Sequence, residues 1–183
     1  MKKTSLLLLV VLFISGLAWT LEIGGKILPD KMKAGETELL LNGAGLRKKL
    51  IIKVYAGALY LTEKCSNAAK IVADDLPMVV KMHFIYKKVE PEKLIEAWNT
   101  GFAKSNISNL QTEIAQFNAM FKQDALKDDV YDIIYVPGEG TGFYINGSLI
   151  GTVGGYEFKK ALFRIWFSDE TELPDLRDGM LGK

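Results

Sequence analysis

The sequence predicts a single α+β domain rather than a doubly wound sheet. Alternating apolar stretches come first, stretches with helical spacing follow, and the same succession repeats toward the C-terminus. No low-complexity linker or internal repeat divides the chain. Of its 183 residues 49% are hydrophobic, enough for one sizeable core.

The first element is not part of that domain. "MKKTSLLLLVVLFISGLAWT" has two lysines, an apolar run from Leu6 to Ile14 and then small residues, the order of a secretory signal peptide. Gly16 and Ala18 place small side chains at alternate positions, so cleavage is expected after Ala18. Residues 1–18 are then the signal and 19–183 the domain, with the periplasm or the exterior as its destination. No later segment is apolar for long enough to cross a bilayer, so the mature chain is expected to carry no membrane span.

Within the domain, Leu39–Leu41 reads as a short strand ending at "NGAG", whose glycines permit a bend. From Leu50 to Leu61 both alternating faces are largely apolar, as in a strand covered on both sides. Met78–Lys87 alternates more cleanly, with Met82, Phe84 and Tyr86 on one side and Lys81, His83 and Lys87 on the other. Pro91 suits the first turn of a helix striped by Leu94, Trp98 and Phe102. Ser108 and Gln111 have capping-box spacing before a second helix carried by Ile114, Phe117 and Phe121, and a joint near Asn106 would make the two a hairpin. Strands return in "YDIIYVPGEGTGFYINGSLIGTVGG", with a corner at Pro137–Gly140 and a hairpin turn at Asn146-Gly147. A helix over Tyr156–Phe167 buries Phe158, Leu162 and Trp166, and a last turn is expected around Leu176–Leu181.

Composition excludes several function classes. Without Lys2 and Lys3 the chain has one more acidic than basic residue, so no basic surplus points to nucleic acid. His83 is the single histidine, so Ser-His-Asp chemistry would have to run through it, and mid-strand on a face with Lys81 and Lys87 it reads as a surface or packing residue rather than a catalytic base. One histidine and one cysteine, Cys65, give no zinc set and no internal disulfide. "GEGTG" precedes a strand rather than a helix N-terminus and reads as a hairpin loop, not a phosphate cradle. Asp74-Asp75 and Asp128-Asp129 lie beside turns, where acids cap helices or face water. No metal or cofactor is expected.

The stretch from Arg47 carries the remaining signal. If it is extended, Arg47, Lys49, Lys53 and Tyr55 fall on one face. One reading is a strand edge with lysines in water. The other follows from the apolar neighbours of Lys53 and Tyr55: a cation among them either snorkels out or meets an anion, such as a ligand carboxylate. An arginine fork matches two carboxylate oxygens.

"LNGAGLRKKLIIKVYAGALYL" resembles a signature of the chalcone isomerase-like proteins, in particular their secreted bacterial branch, and "NGSLIGTVGGYEFKKALFRIWFSD" followed by "GMLG" resembles that branch's C-terminal end. The resemblance implies a long curved antiparallel sheet under a layer of helices, with a ligand cleft between. In the family's plant isomerases an arginine, a threonine and a tyrosine surround the substrate. Arg47 matches the arginine, Tyr55 falls at the threonine, and Glu90-Pro91 stands near the tyrosine, which removes hydroxyls that manage a phenolate and an enolate. The fatty-acid-binding members keep the fold and the arginine. The resemblance therefore implies a non-catalytic binder of a fatty acid or similar amphipathic carboxylate, with Arg47 as the anchor and Tyr55 as a supporting donor. Lys53 is a further ligand-binding candidate from the shared strand face, and Lys48 and Lys49 are expected to face solvent. An isomerase and a ligand-free scaffold are the alternatives.

Overall fold

The computed structural model describes residues 20–105 and 108–183. The expected export signal with its cleavage point, and the joint at Asn106, lie outside the described residues. In chain order come β1 (Leu21–Ile23), β2 (Lys26–Leu28), β3 (Lys31–Ala34), β4 (Thr37–Lys49), β5 (Ile52–Leu61), α1 (Ala68–Ala73), β6 (Met78–Phe84), β7 (Lys88–Val89), α2 (Pro91–Ala103) and α3 (Gln111–Asn118). The chain continues through β8 (Ala125–Leu126), β9 (Val130–Val136), β10 (Gly140–Ile145), β11 (Ser148–Val153), α4 (Tyr156–Phe167) and α5 (Pro174–Met180). Among the described residues no helix is long and apolar enough to cross a membrane.

The main sheet has seven strands in the order β11-β10-β9-β6-β5-β4-β3, every neighbour antiparallel. One face meets the helices. There Tyr55, Leu59, Val80, Met82, Phe84, Tyr131 and Phe143 pack against Leu94, Trp98 and Phe102 of α2, Phe117 of α3 and Phe158, Leu162 and Trp166 of α4. The other face carries a smaller core of Leu39, Ala58, Tyr60 and Val79, closed by Leu28 and Ala34. The sheet curls far enough that a Cβ on Gly35 would lie 3.7 Å from Val136, three strands away. Bulges in the β4–β5 ladder, at Leu41/Gly43 and Arg47/Lys48, supply bend and twist. From Val54 to Leu61 β5 is buried throughout, as the apolar reading of both its faces requires.

Three local expectations change. The "NGAG" stretch is not a bend: β4 runs through it, and its glycines serve a close approach by α5. A Cβ on Gly43 would collide with the Gly179 carbonyl oxygen, and one on Gly45 would lie 2.9 Å from that of Leu176. The actual turn is Leu50-Ile51, between Lys49 and its partner Ile52. Finally, Ser108 caps nothing in a box with Gln111. Asn109 adopts a left-handed φ of 65° and the helix begins after Leu110, whose buried side chain anchors the entry. Helices α2 and α3 do pack together, through Trp98 and Phe117 with ring centroids 5.3 Å apart and an Asn118–Asn99 hydrogen bond of 2.8 Å.

One buried cation organises the far side of the helical layer. Lys159 of α4 is fully enclosed and donates to the carbonyls of Ile71 (3.1 Å), Val72 (2.8 Å) and Asp74 (2.7 Å), capping the C-terminal end of α1. Burial pushes its pKa down to about 8, against the opposing pull of Asp75 and Asp74.

Candidate functional site

Where β4 and β5 approach their shared turn, the helical layer lifts from the sheet and leaves a cleft of about 890 Å³. Its floor is apolar: Val54, Tyr55 and Met82 from the sheet, Leu94 and Trp98 from α2, and Trp166 from α4. Tyr55, Met82, Leu94, Trp98 and Trp166 are turned inward by the strand and helical periodicities, Val54 joins them at the irregularity in the β4–β5 ladder, and the cleft forms where no further large residue fills the gap. The volume lies within the usual range for small-molecule sites.

Arg47 stands on the wall. The β4–β5 register sets it directly opposite Tyr55, and its guanidinium carbon lies 5.7 Å from the centre of the Tyr55 ring. Trp166 Nε1 donates to the Tyr55 hydroxyl at 3.0 Å, fixing the ring beneath the guanidinium. Burial raises the Tyr55 pKa, opposed by Arg47 and the Trp166 hydrogen bond, so the phenol stays protonated.

Cations crowd the rim, yet many are already engaged. Lys104 pairs with Glu172 at 2.6 Å, Lys93 with Glu96 at 2.8 Å, Lys88 with Glu90 and Asp124 at 3.4 Å, and Arg164 donates to the Ser105 carbonyl at 2.5 Å. The Lys104 contact holds the Glu172 carboxyl below its ordinary range. Among the described residues Arg47, Lys48, Lys49 and Lys87 have no carboxylate within 4.0 Å, and of these Arg47 is the one that is half-buried.

The structure thus brings Arg47 and Tyr55 together in the cleft, on adjacent strands rather than along one. Lys53 is exposed and is not a lining residue. The reason is the bulge: Arg47 faces Tyr55 and Lys48 faces Lys53, which leaves Val54 as an extra residue and breaks the alternation that would carry Lys53 onto the Tyr55 face. Lys48 and Lys49 are exposed and border the opening. Tyr86 also lines the cleft. Its phenol follows Met82 and Phe84 in the strand alternation, so the pattern already marked its side without marking its role. The hydroxyls of Thr100 and Thr171 donate to the carbonyls of Glu96 (2.9 Å) and Ile165 (2.8 Å).

Comparison with known proteins adds the family. The chain superposes on the crystal structure of an Arabidopsis thaliana fatty-acid binding protein with a TM-score of 0.70, covering 89% of this chain and 96% of that one at 18% identity. At that identity the likeness shows the fold. No curated protein matches the chain at a significant level. The sequence profile described as chalcone isomerase-like matches residues 20–182, and with that span the chain belongs to the chalcone isomerase-like family.

Proposed function

We propose that the protein is a non-catalytic binder of a fatty acid or similar amphipathic carboxylate, held with its tail on the Val54, Met82, Leu94 and Trp98 floor and its head group on Arg47. The observation that carries this is the half-buried Arg47 guanidinium, without a carboxylate within 4.0 Å among the described residues, at the wall of an apolar cleft. The solved fatty-acid binding protein of the same fold supports the ligand class. Tyr55 positions Arg47 from beneath, and Tyr86 is a further donor. The N-terminal sequence supports a periplasmic or secreted setting, which intact-mass measurement on protein from a periplasmic extract tests: retention of Met1–Ala18 would refute it.

Affinity should climb with chain length by about 0.8 kcal/mol per buried methylene until the cleft is full. Arg47→Ala should weaken carboxylate binding by roughly ten- to a hundred-fold at every length, since hydrogen bonds to a charged group are worth about 1.5–3 kcal/mol. Calorimetry with acid and alcohol ligands against wild type and Arg47→Ala completes a cycle. If the two losses add without coupling, Arg47 does not hold the head group. Chalcone absorbance should fall no faster with protein than without; a protein-dependent rate abolished by Arg47→Ala would establish the isomerase instead.

A further inference from the structure

The tip of the β4–β5 hairpin is built against its own stability in three ways. Leu50 and Ile51 are 91% and 94% exposed, and Ile52 beside them is 44% exposed. Leu50 also holds a left-handed φ of 57°, which L-residues with bulky side chains avoid. Finally, Lys48 and Lys53 face each other directly across the ladder, where like charges repel. The same chain shows what an ordinary turn of this length looks like: between Ile145 and Ser148 it uses Asn146-Gly147, with φ of 50° and 82°. Turn chemistry therefore does not account for Leu50-Ile51.

We infer that the β4–β5 tip is a docking surface for an anionic lipid bilayer, with Leu50, Ile51 and Ile52 entering the interface and Lys48, Lys49, Lys53 and Lys87 meeting the phosphates. Two of these unfavourable features become favourable there, and the left-handed φ of Leu50 is the local cost of the tip's shape. Aliphatic side chains leave water, and the opposed lysines gain a common anionic partner. All four lysines are exposed and, among the described residues, have no carboxylate within 4.0 Å. Their long stems suit a position in which the chain lies along apolar surface and the head reaches the phosphate layer. A projecting aliphatic tip without tryptophan, tyrosine or a buried arginine is not the anchor that protein interfaces favour, whereas a fluid interface needs no complementary pocket.

The placement has a consequence for the cleft. Lys48, Lys49 and Ile52 line its opening, so a docked tip would set the opening against the membrane surface. The surface stands whatever the cleft holds, because Leu50 and Ile51 are not lining residues.

The test is flotation with vesicles of phosphatidylcholine, with and without phosphatidylglycerol, at low and high salt. Wild type should bind the anionic vesicles, lose binding in high salt, and ignore the neutral ones. The double variant Leu50→Asn/Ile51→Gly copies the chain's own Asn146-Gly147 turn and should fold at least as stably by thermal unfolding, while its partition falls tenfold or more. Because only the tip changes, any contribution from the N-terminal apolar run cancels in the comparison. Lys53→Glu should weaken binding by roughly fivefold or more. Ile51→Trp should show fluorescence quenched by brominated lipid in anionic vesicles only. Wild type that ignores anionic vesicles, or a double variant that binds as wild type does, overturns the inference. So does a dimer in sedimentation that the double variant dissolves while vesicles remain unbound, which would assign the tip to a second copy. Fatty-acid calorimetry on the double variant reads the cleft separately and should match wild type.

Discussion

Lys159 shows how one ammonium can set the alkaline behaviour of the molecule. Its native pKa is about 8, whereas the unfolded side chain titrates near 10.5. Between those values the unfolded chain holds a proton that the native one has released, so stability rises with pH across that window. The charged groups facing it are Asp74, Asp75 and Lys160, with the Tyr135 and Tyr156 rings around the ammonium. Above about pH 10 the sign reverses, since Tyr60, Tyr131 and Tyr135 have raised native pKa values, that of Tyr131 pushed up to about 12. Urea unfolding at about pH 7.5, 9.5 and 11 should give a maximum in the middle, and Lys159→Met should flatten the rise while leaving the alkaline fall. Tyr55→Phe should cost about 1–3 kcal/mol in the same assay, because the buried Trp166 Nε1 loses its acceptor. In the sequence the cation and phenol inside the apolar run are Lys53 and Tyr55, whereas Arg47 is marked by its carboxylate-matching fork and by the family resemblance. Lys159 was not, since "FKKAL" offers two adjacent lysines and only the docking of α1 decides which is enclosed.

Elements were readable where local chemistry and tertiary structure agree. The Tyr156–Phe167 helix and the Asn146-Gly147 turn appear as their residues demand. Leu50-Ile51 was unreadable as a turn because neither residue is a turn former, and that concealment moved Arg47 and Lys49 onto the wrong strand. The glycines of "NGAG" misled for the opposite reason: their lack of a side chain makes room for another element, not for a bend. Helix α5 lies with its backbone on β4, so Gly43→Ala forces backbone against backbone and should destabilise by about 3 kcal/mol or more. Hydrogen exchange should show α5 amides losing protection first, while those of β9 to β11 keep theirs. Uniform loss across the sheet would contradict that order.

At the scale of the molecule the cleft is assembled from the β4–β5 tip, the β6–α2 connection, α2 itself, and the end of α4 with the loop that follows. No single stretch of sequence describes it, and its existence came into view through family resemblance rather than spacing. Since a ligand there touches several elements at once, binding should act on global unfolding. A fatty acid at roughly a hundred times its Kd should add about 2.7 kcal/mol, a rise in Tm of about 5–10 °C, with Arg47→Ala gaining much less at the same concentration. Scanning calorimetry reads this directly. The seating of α5 on β4 also bears on when the molecule can finish folding. Asn42 bonds both the Cys65 backbone and the Met180 carbonyl, the latter 138 positions away. A chain made from its N-terminus therefore completes β4 early and must leave that strand's glycine track bare until Met180 has emerged. Closure of so long a loop is slow, and an uncovered strand is a place where other chains can pair. The interval between making β4 and making α5 is thus the period in which a holding chaperone would have most to protect.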